Sequence, residues 1–313
     1  MALRISILSG KRGYLGLGEG DKYLLSILTV FELCGEIALN ILFWNVNKKD
    51  NDKIVECILS MIAENNVDLL VLAEYGENIQ TLCNLANIAS KSQYKVIAGN
   101  GGCEKIKGIV NNKYGIECLF EQSRYMLVKI ATVSYTMILA MIHNADKRNF
   151  SESTRQQVLG YFHDDISNVE ELHQCNKTVA IGDFNSSPFD LGCISSNCMH
   201  AIPFADEVAK YHTRIVQGRS FKKFYNPTWK LFGNSEPPYT TYRYDDSSNA
   251  DNYYWYALDQ VMVRPLLIDA FDEYALKIIT HAGNHCLTKN GRPDKDNYSD
   301  HLPLFCTLKE ELI

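Results

Sequence analysis

Thr178-Val179-Ala180-Ile181-Gly182-Asp183-Phe184-Asn185 runs from a short apolar segment straight into an aspartate and an asparagine two positions apart. A β-branched run ending on glycine reads as a buried strand. Asp183 and Asn185 therefore emerge at a strand end, where a rigid scaffold presents functional groups. Two positions apart on an extended chain, their side chains point the same way. One carboxylate oxygen and one amide oxygen can then reach a single hard cation or phosphate. Taken alone, the same pair also serves to cap a turn after a core strand.

Working outward, other apolar runs end on polar groups in the same manner. The run 39–44 reads as a strand ending on Asn45 and Asn47, 68–73 ends on Glu74, and 136–142 ends on His143. Asp259 lies inside the apolar run 258–263, where an unpaired carboxylate is costly, and Asp300-His301 precedes a final strand over 302–308. Apolar spacing predicts helices over 52–64, 78–91 and 151–171, the last opened by Ser151 or Ser153. Short strands are expected near 94–98, 106–110, 115–121 and 124–130, with an irregular stretch from about 183 to 256. Alternation of strands and helices followed by strung-together strands suits two packed sheets flanked by helices. Residues 1–38, with a glycine-rich start lacking phosphate-loop spacing, read as an N-terminal extension to one domain over 39–313.

The 313 residues carry a formal net charge of −6, so no global positive field gathers polyanions. Ten scattered cysteines read as reduced thiols and not as a disulfide framework. Cys193, Cys198 and His200 make the nearest approach to a zinc cluster, with spacing loose for that metal. No stretch reaches the roughly 18 uncharged apolar residues a spanning helix needs, and the chain reads as cytoplasmic. No protein partner can be inferred.

Trp44-Asn45-Val46-Asn47, Leu72-Ala73-Glu74, Ile142-His143-Asn144, Gly182-Asp183-Phe184-Asn185, Leu258-Asp259-Gln260-Val261 and Ser299-Asp300-His301-Leu302-Pro303 occur in the order of a known set. At these positions the chain resembles the endonuclease/exonuclease/phosphatase superfamily, which includes pancreatic deoxyribonuclease. The resemblance covers roughly residues 39–308. It implies a four-layer α/β sandwich: two mixed, mostly antiparallel β-sheets packed face to face with helices outside. It also implies divalent-metal-dependent hydrolysis of a phosphate ester, usually with Mg²⁺, for which Mn²⁺ may substitute. On this reading Glu74, Asn45 and Asp300 hold the metal, and Asp183, oriented by Asn185, aligns or deprotonates water. His301 pairs with Asp259 and works at the phosphoryl oxygen, with His143 on its other side. Two departures stand out: many relatives carry Asp at the position of Asn47, and Ser123 stands where deoxyribonucleases carry a glutamate paired to the equivalent of His143. Glu121 is the available substitute.

For the substrate, Asn47, Arg124, Tyr125, Arg155, Lys222 and Lys223 are the candidate contacts. Arg214, Arg219, Lys222, Lys223 and Lys230 interleave with Phe221, Phe224, Tyr225 and Trp229. Such a mixture suits single-stranded nucleic acid, with cations on phosphates and rings on bases, and equally suits a loop whose rings fill the core. The tyrosines from 239 to 256 suit a wall or lid. A nuclease acting on DNA or RNA is the first reading. A phosphatase or phospholipase-type hydrolase and an inactive binding module of the same fold stand as alternatives.

Overall fold

A computed structural model describes residues 38–310 apart from positions 50, 247 and 249. The extension expected over 1–38 lies outside the described residues save its last position.

The first half follows the apolar pattern closely. Strand β1 (Ala38–Asn45) leads to helix α1 (Asp52–Glu64), β2 (Leu69–Ala73), α2 (Ile79–Ala89), β3 (Tyr94–Val96) and β4 (Ile106–Asn111). Strands β5 (Gly115–Gln122), β6 (Tyr125–Ala131) and β7 (Thr136–His143) form a meander, followed by α3 (Glu152–Leu172) and β8 (Thr178–Asp183). Asparagine and serine side chains start the helices: Asn51 accepts from Ile54 N, Asn78 from Gln80 N and Ser151 from Thr154 N. Each satisfies a backbone donor left open in the first turn.

The stretch expected to be irregular contains small elements: α4 (Leu191–Ile194), β9 (Ala201–Ile202), α5 (Ala205–Lys210), a hairpin of β10 (Thr213–Val216) and β11 (Arg219–Lys222), β12 (Phe224–Tyr225), β13 (Tyr242–Arg243) and β14 (Trp255–Tyr256). Then come β15 (Asp259–Val263), β16 (Phe271–Ile278), the short pairs β17 (His281–Ala282) with β18 (His285–Cys286) and β19 (Thr288–Lys289) with β20 (Arg292–Pro293), and β21 (Leu304–Lys309).

Two large sheets result, a six-stranded one in the order β16-β21-β1-β2-β4-β3 and a seven-stranded one in the order β5-β6-β7-β8-β15-β12-β9. Both are mixed: β1 with β2, β7 with β8 and β12 with β9 are parallel, and the other pairs are antiparallel. Leu39, Ile41 and Phe43 of β1 meet Val128, Met141 and Val261 of the second sheet in the central core. Leu42 and Trp44 face the other way, onto Ile54, Ile58 and Met61 of α1. On the opposite outer face, Ile138, Ala140 and Ala180 pack on Leu159, Phe162 and Ile166 of α3. Helices, sheet, sheet and helix make the four layers. Strands buried on both faces read as continuous apolar runs, which is why β1, β2, β7 and β8 stand out in the sequence. Every described cysteine is an unbridged thiol.

Parallel pairing of β1 with β2 and of β7 with β8 brings Asn45, Glu74, His143 and Asp183 to one end of the sandwich. Antiparallel β15 delivers Asp259 opposite Asp183, and the segment before β21 brings in Asp300 and His301.

Candidate active site

Asp183 sits at the centre of this end. Its Oδ1 accepts from Asn185 N at 2.8 Å and its Oδ2 from Asn45 Nδ2 at 2.9 Å, so both oxygens are fixed by neutral donors. The Asn185 side chain donates to Asn144 O at 3.2 Å instead of pointing at Asp183. Gly182 makes the approach possible: a Cβ there would lie 1.9 Å from Ile142 O. Asn47, Lys48, Glu74 and Asn185 all take positive φ, between 47° and 58°. Left-handed backbone at non-glycine positions gathers where surroundings hold a functional geometry.

On one flank, Asp259 Oδ2 and His301 Nδ1 lie 2.8 Å apart, both groups buried. Burial disfavours the imidazolium, but the Asp259, Asp183 and Asp300 carboxylates together outweigh it, Asp259 foremost, and the His301 pKa rises to about 10. His301 is locked in place through its backbone: its carbonyl accepts from Trp44 Nε1 at 2.9 Å, and its N–H donates to Ser299 Oγ at 3.1 Å. Ser299 Oγ in turn donates to Asn45 O at 2.7 Å. The Tyr242 ring covers the imidazole with centroids 4.6 Å apart.

On the other flank, His143 Nε2 lies 3.2 Å from Glu74 Oε1 and 3.7 Å from Asp183 Oδ2. The bond to His143 is the main cause that lowers the Glu74 pKa. His143 Nδ1 is buried with no hydrogen-bond partner among the described residues. The carboxylate of Glu121 turns instead to Gly102 N, at 2.5 Å.

Four carboxylates therefore face two histidines, an excess of negative charge in a partly buried pocket. The tightest trio of potential ligands is Asp183, Asp259 and His301, within 4.8 Å of one another. Both Asp183 oxygens, Asp259 Oδ2 and His301 Nδ1 are engaged within the trio or by neighbouring amides, while Asp259 Oδ1 is buried with no partner among the described residues. Asp300, outside the trio, likewise has a buried Oδ1 with no partner among the described residues. A buried acceptor without a donor is costly, and surplus carboxylate oxygen is what a hard divalent cation takes. Glu74 and Asp300, with Asn45 beside them, fit such an ion.

The remaining candidates separate. Arg124 lies on the rim, its carbonyl accepting from His143 N at 2.9 Å and its guanidinium 4.9 Å over Phe150. Arg155 shares that rim, with Nη1 donating to Phe150 O at 3.3 Å and Nε buried and unpartnered. Asn47 is exposed next to the pocket, its N–H on Asn45 Oδ1. Tyr125 is not in the pocket. It pairs with Ile142 and so points to the helix layer, where its hydroxyl donates to Asp165 at 2.6 Å.

Lys222 and Lys223 are displaced too. Lys222 Nζ is 3.0 Å from buried Glu170, and Lys223 lies beside Arg264 just past the far end of β15. A strand of that length puts roughly 15 Å between them and Asp259. Phe224 and Tyr225 fill the core and form no stacking surface. Cys193 and Cys198 meet Gln260 and the Gln156 carbonyl and form no cluster with His200.

Three further residues support the site. Tyr242 reaches His301 only through tertiary pairing. Lys147 lies 4.8 Å over Tyr256 and 4.0 Å from Asp190. Asn144 ties the Asp183 loop down by donating to Phe184 O at 2.9 Å.

Two facing mixed sheets of this kind have solved counterparts. Truncated Caenorhabditis elegans TDP2 superposes with a TM-score of 0.53 at 13% identity, covering 87% of this chain and 98% of that one. This is the endonuclease/exonuclease/phosphatase fold. A Leptotrichia buccalis protein described by that family name matches at 0.51 and 13% identity, covering 86% of this chain and 98% of its own. D. rerio TDP2, solved with a single strand DNA product, matches at 0.51 and 16% identity over 86% and 98% of the two chains. No family model and no curated protein matches the sequence. At such identities the fold itself is what is shared.

Proposed function

We propose that this protein is a divalent-metal-dependent phosphodiesterase that hydrolyses nucleic-acid phosphodiester bonds. The carrying observation is the Asp259–His301 pair, at 2.8 Å, set beside an Asp183 whose two oxygens are held by Asn185 N and Asn45. A nucleic-acid substrate accords with a fold neighbour solved with a single strand DNA product. A location in the cytoplasm accords with the unbridged cysteines. No helix among the described residues is long and apolar enough to cross a membrane.

The chain's own groups suit in-line attack of water on phosphorus. Asp183 orients the water and takes up its proton, because Asn45 and Asn185 prevent the carboxylate from turning away. His301, held as imidazolium by Asp259, donates to a non-bridging phosphoryl oxygen whose charge grows in the transition state. His143 faces the same phosphate from the opposite side, with Glu74 fixing its orientation. Glu74, Asn45 and Asp300 would hold the divalent cation, which when bound would neutralise charge developing on the phosphate and leaving oxygen.

A panel of labelled single- and double-stranded DNA, RNA and bis(p-nitrophenyl) phosphate, with Mg²⁺ or Mn²⁺, tests this. Cleavage of at least one polynucleotide is expected, with Asp183→Asn and His301→Gln each losing roughly 10²–10⁴-fold in kcat while still folding. Equal rates in parent and variants on every substrate would sink the reading.

A further inference from the structure

Between Glu207 and Glu236 the sequence contains no acidic residue, although the whole chain carries a net charge of −6. Within this stretch Lys230 is committed to Glu273, and Lys222 to Glu170 and Asn176. Lys210, Arg214, Arg219 and Lys223 have no carboxylate partner among the described residues. The fold gathers these cations on one projection. Strands β10 and β11 make an isolated two-stranded hairpin outside both large sheets, paired Arg214 to Phe221 and Val216 to Arg219. Directly opposed residues share a face, as do residues two apart. Arg214 and Arg219 thus occupy diagonal corners of one face, with Val216 and Phe221 between them. Both arginines are exposed. At the root of the hairpin, half-exposed Tyr211 is flanked by Lys210 Nζ at 5.1 Å and Lys223 Nζ at 5.6 Å.

We infer that the β10–β11 hairpin and its Tyr211 root form a second binding surface for a nucleic-acid backbone, remote from the catalytic pocket. A folded globular domain gains nothing in core burial from an exposed ribbon carrying unpaired arginines; like charges on adjacent elements repel unless a polyanion neutralises them. Guanidinium groups bind phosphate oxygens bidentately, a ring between two ammonium groups offers a face for a base, and a two-stranded ribbon has the width of a duplex major groove. The surface lies past the far end of β15, roughly 15 Å or more from Asp259. A strand running round the edge of the second sheet can therefore touch both. The choice of nucleic acid as the polyanion rests on the phosphodiesterase reading; the existence of the surface does not.

The test is fluorescence anisotropy of labelled 20-nucleotide single strands and 20-base-pair duplexes with the full chain in EDTA, titrated across KCl concentrations, for the parent and for Arg214→Gln/Arg219→Gln. The variant is expected to bind roughly tens of fold more weakly at 0.1 M salt, with a log–log salt slope shallower by about 2 and little difference near 1 M. Arg214→Lys/Arg219→Lys is expected to retain most of the slope, which separates charge from folding. Equal affinities and slopes in parent and Gln variant would overturn the inference, as would parent binding to phosphatidylserine vesicles but to neither polynucleotide. Hydrolysis of bis(p-nitrophenyl) phosphate by the parent with Mg²⁺ or Mn²⁺ reads the catalytic pocket independently. Loss of that activity with binding intact would defeat the catalytic reading and leave the surface standing.

Discussion

His301 has two carboxylates beyond Asp259 contributing to its field, and Asp183 and Asp300 both favour its protonated form. Its pKa rises from 6.5 to about 10 in the fold, so the folded state holds a proton that the unfolded chain gives up first. The resulting stabilisation is complete below about pH 6.5 and is lost as pH climbs towards 10. In metal-free buffer the urea midpoint should therefore decline across that window, by an amount on the order of a few kcal/mol at most in stability, because burial of Asp259 opposes part of the gain. Replacing the histidine in His301→Gln should flatten the decline; an unchanged slope in the variant would show that another group is responsible. Gly182 carries a second prediction at this scale. Its φ is 154°, and a Cβ there meets backbone at Ile142 O, which no rotamer change can relieve. Gly182→Ala should cost roughly 3 kcal/mol or more and, by moving Asp183, lose activity even below the melting point. Calorimetry together with the rate on a small diester checks both effects.

At the level of elements, parity along strands explains which side chains reach the pocket. His143 and Met141 share the face of β7 that looks between the sheets, whereas Ile142 looks to α3, and Tyr125 pairs with Ile142. Proximity in sequence to Arg124 thus places Tyr125 in the wrong layer. Lys222 and Lys223 illustrate the companion limit: a basic run is visible in sequence, but which end of a strand it joins depends on pairing fixed only when β12 meets β15. The helices were legible because burial of one face imposes a period, and β1, β2, β7 and β8 because burial on both faces makes a continuous apolar run. Strand β16 was not, since this edge strand mixes Asp272, Glu273 and Tyr274 into its run and changes register between Asp272 and Lys277. Lys222 instead belongs to a buried network. Arg264 Nε is 2.7 Å and Lys222 Nζ 3.0 Å from Glu170, which Thr178 also serves as donor. Arg264→Met would leave the Glu170 carboxylate buried beside a partly exposed lysine. We expect a loss of about 3–5 kcal/mol, with the double variant Glu170→Gln/Arg264→Met recovering a substantial part. Denaturant titration of the three proteins decides it; equal losses in single and double variants would mean the cost is packing and not charge.

Across the whole molecule, two sheets built from distant parts of the chain meet so that their strand ends oppose one another, and four carboxylates converge there. Glu74, Asp183, Asp259 and Asp300 come from both sheets and from the segment before β21. Without a cation this convergence repels itself, opposed by His143 and His301 and, from nearby, by Lys48 and Lys147. A divalent ion that binds the folded state alone should therefore stabilise the entire fold, by about 2.7 kcal/mol at a concentration one hundred times its Kd. For a chain of this size that corresponds to a rise in Tm of roughly 4–5 °C. Mg²⁺ or Mn²⁺ should produce the shift, and NaCl of equal ionic strength should not. The sign of the Asp300→Asn effect distinguishes a metal site from ordinary screening. In EDTA the variant should melt above the parent, because the charge of a carboxylate whose buried Oδ1 has no partner among the described residues is gone. With Mg²⁺ it should melt below the parent, because the ion has lost a ligand. A variant that tracks the parent under both conditions would remove Asp300 from the metal site and return the choice of ligands to Glu74 and Asn45 alone.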